Sequence, residues 1–140
     1  MVDEKTARIV WKGADLDFRA TLGTGYAFDM SGPPSPNGGS PMEFLLASAA
    51  GCTAMDVVTI LRKKRLEITN LEVEISGIQV NEDPHVYTSA KIVYIVHGKA
   101  INPDAVAKAI ELSMTKYCSA SIMLKRAGVD VETDFRIVAA

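Results

Sequence analysis

The most reactive side chains in this sequence are those of its two cysteines, Cys52 and Cys118. A thiolate that attacks a hydroperoxide becomes a sulfenic acid, and a second thiol within reach converts it to a disulfide before over-oxidation. Either cysteine alone has a plainer explanation, because most free cysteines serve as small buried hydrophobes. Cys52 fits that explanation, since it falls in the middle of an apolar run. Cys118 lies at a break in pattern ahead of an expected helix N-terminus, where unsatisfied N–H groups stabilise a thiolate. Their separation along the chain does not establish that they touch. Asp56 falls one helical turn after Cys52, where a carboxylate opposes thiolate formation unless a partner holds it; Arg19 or a backbone amide is the partner expected. Burial also disfavours a thiolate, so activating Cys52 calls for a positive group. His85 and His97 have no ligand spacing to each other or to the cysteines, so no metal site is expected.

The elements that must position these residues are written largely in periodicity. Ala7, Ile9 and Trp11, then Leu16, Phe18, Ala20 and Leu22, alternate with other residues and are punctuated by Gly13, Gly23 and Gly25, which predicts three short antiparallel strands. Residues 31–39 are dense in Gly, Pro, Ser and Asn and form a loop. Ser40, Pro41 and Glu43 then supply a capping Ser, a proline at the first helical position and the acidic member of a capping box. Residues 44–60 are apolar or small almost all the way round, which predicts a central helix buried on most faces. The small residues at 47–51 permit another helix to pack closely, although Gly51 costs roughly 1 kcal/mol in a helix interior. The basic run at 62–65 complements the C-terminal partial charge of that helix and is a solvated face.

Leu71, Val73 and Ile75 alternate with polar residues, and residues 92–96 form a second β-prone run beyond the turn at 81–84, a long hairpin. Asn102 and Pro103 cap and begin a second helix, with Val106, Ile110 and Met114 on one stripe. A third, shorter helix runs to Lys125 or Arg126 and stops at Gly128, and Val129, Val131, Thr133, Phe135 and Ile137 mark a last strand. The order βββ-α-ββ-αα-β, without internal repeats, is α+β rather than a doubly wound sheet.

Composition excludes several functions. With 140 residues, 48% of them apolar, the expectation is a single domain, residues 1–140, around one core. The net charge of −2 offers no broad field to nucleic acid or an anionic membrane. The acidic N-terminus lacks the basic start and apolar core of a secretory signal, and no apolar run is expected to span a bilayer, so a cytoplasmic protein is predicted. Two cysteines in a reducing compartment make a poor structural framework, so a bond between them would be transient and chemical. No cofactor is called for.

The stretch at 40–58, with Ser40-Pro41-Met42-Glu43 leading to Gly51-Cys52-Thr53 and Asp56, resembles the central-helix motif of the OsmC/Ohr family, and the stretch at 112–119 around Tyr117-Cys118-Ser119 resembles its second cysteine motif. The resemblance covers nearly the whole chain. It implies an OsmC-like fold: an intertwined homodimer with two central helices enclosed by antiparallel sheets and active sites at the subunit interface. It also implies that Cys52 is the peroxidatic thiol, Cys118 the resolving one, an organic hydroperoxide the substrate and a dithiol such as a lipoyl group the reductant. Family members carry a Glu directly after the helix-starting Pro and an Arg in an N-terminal loop, both contacting the reactive cysteine. Here Met42 follows Pro41 and Glu43 comes one position later, a rotation of about 100° around the helix. Glu43 and Arg19 are the positions the resemblance offers for these roles, with Lys12 a weaker substitute for the Arg. The shift resembles the divergent YhfA-type branch of the family. A non-enzymatic reading on the same fold, a redox sensor or a carrier of a small apolar ligand, is the alternative; a purely structural dimer leaves the second cysteine motif unexplained.

Overall fold

The structure, a computed structural model, describes residues 2–33 and 35–139, so Pro34 of the predicted loop lies outside the described residues. The chain forms two compact units, the first ending at Leu45 and the second beginning at Leu46. The elements run β1 (Ala7–Trp11), β2 (Asp17–Leu22), β3 (Ala27–Ser31), α1 (Pro41–Lys63), β4 (Ile68–Gln79), β5 (Tyr87–Gly98), α2 (Pro103–Leu112), α3 (Ser119–Arg126) and β6 (Asp130–Ala139). A π-helical turn, Ser113–Tyr117, joins α2 to α3. This is the α+β order that the sequence predicts.

In the first unit β1, β2 and β3 form an antiparallel meander, with Ala20 paired to Ile9 on one side and to Phe28 on the other. After β3 the loop doubles back, the Ser31 N–H donating to the Gly39 carbonyl at 3.0 Å. The Phe44 ring occupies the space a side chain on Gly39 would need. At the start of α1 the Glu43 carboxylate accepts from the Ser40 N–H at 3.1 Å and from its hydroxyl at 2.8 Å, which is the acidic half of the expected capping box. These bonds, the backbone one foremost, hold the Glu43 carboxyl below its ordinary value. A carboxyl lowered by folding stabilises the native chain above the ordinary carboxylate range and loses that effect as pH falls through its folded value. The wild-type protein should therefore melt above Glu43→Gln near neutral pH and lose that advantage in acid; thermal melts that keep a constant gap would contradict this.

In the second unit the strand order is β4-β5-β6, with β5 central. Val73 of β4 lies opposite Tyr94 in an antiparallel hairpin, whereas Phe135 of β6 lies beside Tyr94 in a parallel pair. The expectation of antiparallel sheets thus holds for the first sheet and the hairpin but not for β6. Its physical reason is the helical crossover, which returns the chain to the starting end of β5 before β6 begins. Ile92, Tyr94 and Val96, alternate residues of β5, are fully buried and pack with Val57 and Leu61 of α1 and Val106 of α2 in the core. The start of α2 is as predicted, the Asn102 side chain accepting from the Asp104 N–H at 2.9 Å behind Pro103 at the first helical turn.

Helix α1 departs from its expectation in two respects. Its 23 residues are long and apolar enough, by length and composition alone, to cross a bilayer, where the sequence reading predicts no such run. It is also buried chiefly along one stripe, Ala49, Thr53, Val57 and Leu61, with Ala50 beside it, rather than on most faces, and Met55 is 72% exposed. The surface outside that stripe is not uniformly polar, since Leu45 and Met55 stand exposed on the helix. Among the described residues, leaving aside the helix's own nearby backbone, nothing lies within 4 Å of where a Cβ on Gly51 would stand, so the helix expected to pack there is not one of the described elements.

Candidate active site

Ala49, Cys52, Thr53 and Asp56 share a face of α1 through their three- and four-residue spacing. Cys118 is brought to that face by the π-helical turn. Its N–H donates to the carbonyl of Ser113, five residues back, at 2.7 Å, and Cys118 itself is extended (φ −77, ψ 93) as the N-cap of α3. The extra residue in such a turn breaks the helical run and redirects the chain beyond it. Cys118 is wholly buried. Its S–H faces the Ser121 hydroxyl at 3.0 Å and the Ala49 carbonyl at 3.8 Å, and its sulfur accepts from the Ser121 N–H at 3.4 Å.

Cys52, only partly buried, is the hydrogen-bonding neighbour of Cys118, so the structure brings the two predicted thiols together. Burial pushes the Cys118 thiol up, the hydrogen bonds from Ser121 oppose that, and the hydrogen bond and charge of Cys52 push it further up. The helix N-terminus does supply an N–H to the sulfur, as the sequence suggests, but burial outweighs it. Cys118 is therefore held as a protonated thiol.

Asp56 finds neither of the partners expected for it. Its carboxylate accepts from the Ser113 hydroxyl at 2.9 Å. The Ser113 oxygen is 2.7 Å from the Thr53 hydroxyl, which is 2.7 Å from the Tyr94 hydroxyl. A carboxylate only accepts and each hydroxyl has one proton, so the direction is fixed: Tyr94 donates to Thr53, Thr53 to Ser113 and Ser113 to Asp56. Burial pushes the Tyr94 phenol up to about 12; its bond with Thr53 opposes this, and the charges of Cys118 and Asp56 add to it.

The other two predicted site residues belong to the first unit, each with a partner there. Arg19 donates to the Asp29 carboxylate at 2.9 Å, and Lys12 pairs with the same oxygen at 2.9 Å. The Lys12 ammonium first, and the Arg19 guanidinium second, hold the Asp29 carboxyl below its ordinary value. Glu43 is engaged with Ser40 at the start of α1. His97 and His85 pair with Glu72 and Asp83 at 2.7 and 3.2 Å.

Sequence reasoning does not single out Thr53, Tyr94, Ser113 or Ser121. Ser121 has a legible signal, because it stands three residues after a residue expected to precede a helix, the position whose N–H a cap satisfies. The others become visible only once the turn at Ser113 is known.

The profile of the OsmC-like protein family matches residues 32–134. Protein YhfA of Escherichia coli (strain K12) is 37% identical over 134 residues, 96% of this chain and 98% of that one. A hypothetical protein from Aquifex aeolicus VF5 has a TM-score of 0.88 at 26% identity, covering 99% of both chains. The organic hydroperoxide resistance protein OhrB of Bacillus subtilis shares the fold, with a TM-score of 0.64 at 19% identity over 94% of this chain and 98% of that one. Because the family match runs from the loop before α1 through both cysteines into β6, this chain belongs to the OsmC-like protein family.

Proposed function

We propose that this protein is a thiol peroxidase that reduces organic hydroperoxides to alcohols. The observation that carries the proposal is a partly exposed Cys52 against a wholly buried Cys118 kept as a thiol. The Cys52 thiolate attacks the distal peroxide oxygen, the O–O bond breaks, and the alkoxide leaves as an alcohol after taking up a proton. The Cys118 sulfur then attacks the Cys52 sulfenic acid, gives up its own proton and expels water, leaving a disulfide. An external dithiol, with a lipoyl group as the expected type, exchanges with that disulfide and is itself oxidised. Arg19 and Glu43 are the charged groups assigned to orienting Cys52 and peroxide, and the cytoplasm is the setting that keeps a dithiol at hand.

The working form in this proposal is a homodimer. The open face of α1 at Gly51, flanked by the exposed Met55, supports a second copy packing helix to helix there.

Treating the reduced protein with stoichiometric cumene hydroperoxide, and separately hydrogen peroxide, followed by intact mass and peptide mapping, tests the chemistry. The expected result is rapid loss of two hydrogens per chain with a Cys52–Cys118 peptide, faster for the organic peroxide. Reaction no faster than that of an ordinary buried thiol would refute it. A second reading, carriage of a small apolar ligand, is favoured by the groove of about 410 Å³ among Ile9, Leu16, Phe18, Met30 and Pro41; saturable binding of an apolar fluorophore by a peroxide-inert protein would select it.

A further inference from the structure

We propose that Thr53, Ser113 and Asp56 are positioning residues that set the approach of Cys118 to Cys52, and hence the speed of disulfide closure. This deepens the proposed function and rests on its pairing of the two cysteines. Ser113 is the joint. Through its carbonyl it holds the Cys118 N–H at 2.7 Å, and through its hydroxyl it is tied to Asp56 at 2.9 Å and Thr53 at 2.7 Å on α1. Thr53 is the residue after Cys52, and Asp56 lies one turn beyond it on the same helix. One side chain therefore couples the backbone of the resolving cysteine to the helix that carries the attacking one.

The coupling is protected from water, since Thr53, Ser113 and Tyr94 are fully buried. Buried hydroxyls left without partners are costly, so the bonds persist as a set. The Asp56 charge gives the set its direction, and Lys125 secures the far side of the turn by donating to the Met114 carbonyl at 3.0 Å. Disulfide closure requires the two sulfurs to meet within a narrow range of distance and dihedral angle, so a small displacement of the turn acts on the rate. Neither Thr53 nor Ser113 exchanges a proton with a sulfur in this proposal; they act only through placement.

The test uses diamide, which oxidises two thiols to a disulfide as its azo group takes up two hydrogens, so that no peroxide chemistry is involved. Stopped-flow quenching and intact mass would give the closure rate for wild type, Thr53→Val, Thr53→Ser, Asp56→Ala and Tyr94→Phe, with circular dichroism verifying each fold. Thr53→Val keeps the shape but removes the hydroxyl and should slow closure by about tenfold or more, as expected when reacting groups are misplaced. Thr53→Ser restores the hydroxyl and should recover most of the rate. Tyr94→Phe removes only the outermost donor and should leave closure within about twofold, because the Thr53–Ser113–Asp56 links remain. Should Thr53→Val fail to fold, Asp56→Ala, at a partly exposed position and without the oxygens that accept from Ser113, decides the matter by the same slowing. Closure at the wild-type rate in a folded Thr53→Val or Asp56→Ala protein would overturn the proposal. If the wild type ignores hydroperoxides yet diamide reveals this ranking, the peroxidase reading falls and the positioning stands; if peroxides oxidise the pair and the ranking is absent, the reverse holds.

Discussion

Cys52→Ser should abolish hydroperoxide turnover, by on the order of 10³-fold or more, while leaving the chain folded. A serine hydroxyl at neutral pH is a poor nucleophile toward peroxide oxygen, and Cys52 is a half-buried helix position that tolerates loss of one polarisable atom. Cys118→Ser should behave differently. The first oxidation still takes place, one alcohol per chain is released, and the sulfenic acid on Cys52 then has no thiol to condense with. Sulfenic and then sulfinic Cys52 should accumulate, trapped by dimedone at early times and seen as added oxygens in the mass later. The serine hydroxyl can take over the contact with Ser121, so the fold at the start of α3 should survive. Steady turnover of hydroperoxide by a pure Cys52→Ser protein would end the assignment of Cys52 as the attacking thiol.

If the protein dimerises through α1 as proposed, Gly51→Leu should convert that dimer to folded monomers. Among the described residues, outside the helix's own nearby backbone, nothing lies within 4 Å of the first carbon of the new side chain, which therefore starts into open space. Leucine is also a better helix former than glycine by up to about 1 kcal/mol, so the isolated chain should melt higher, not lower. A second helix packed closely on Gly51, by contrast, cannot accept a branched side chain between the two backbones. Sedimentation velocity together with thermal melts reads both effects, and loss of the dimer with a stable monomer is the expected combination. A dimer that persists unchanged would show that this face of α1 is not where two copies meet.

Much of the framework can be read from residue order because it depends on local rules. The strands of the first sheet alternate, the start of α1 is spelled by Ser40, Pro41 and Glu43, and Asn102 with Pro103 does the same for α2. The direction of β6 is not spelled by its own residues, since alternation looks the same in parallel and antiparallel pairs; the helical crossover preceding it is the usable signal. Burial of α1 is less extensive than its composition suggests, because small residues look inward-facing whether their neighbour is the same chain or none. At the site, the cysteines can be named from the sequence but their contact cannot, because it depends on one additional residue in the turn after α2. The hydroxyl series from Tyr94 to Asp56 joins residues from α1, β5 and the end of α2, each ordinary in its own segment. The register of Arg19 is equally local in appearance, and the structure gives it Asp29, ten residues away across the β2–β3 pair.

The parallel pairing of β6 with β5 also sets an order of events during synthesis. The β4–β5 hairpin can close as soon as its second strand leaves the ribosome, whereas β5 keeps its other edge bare until the whole crossover has been made. That bare edge, in the most buried strand of the sheet, is the stretch of the nascent chain most open to mispairing with a neighbour. The backbone groups along that edge, from Ser89 to Gly98, thus stay unpaired until the last strand arrives.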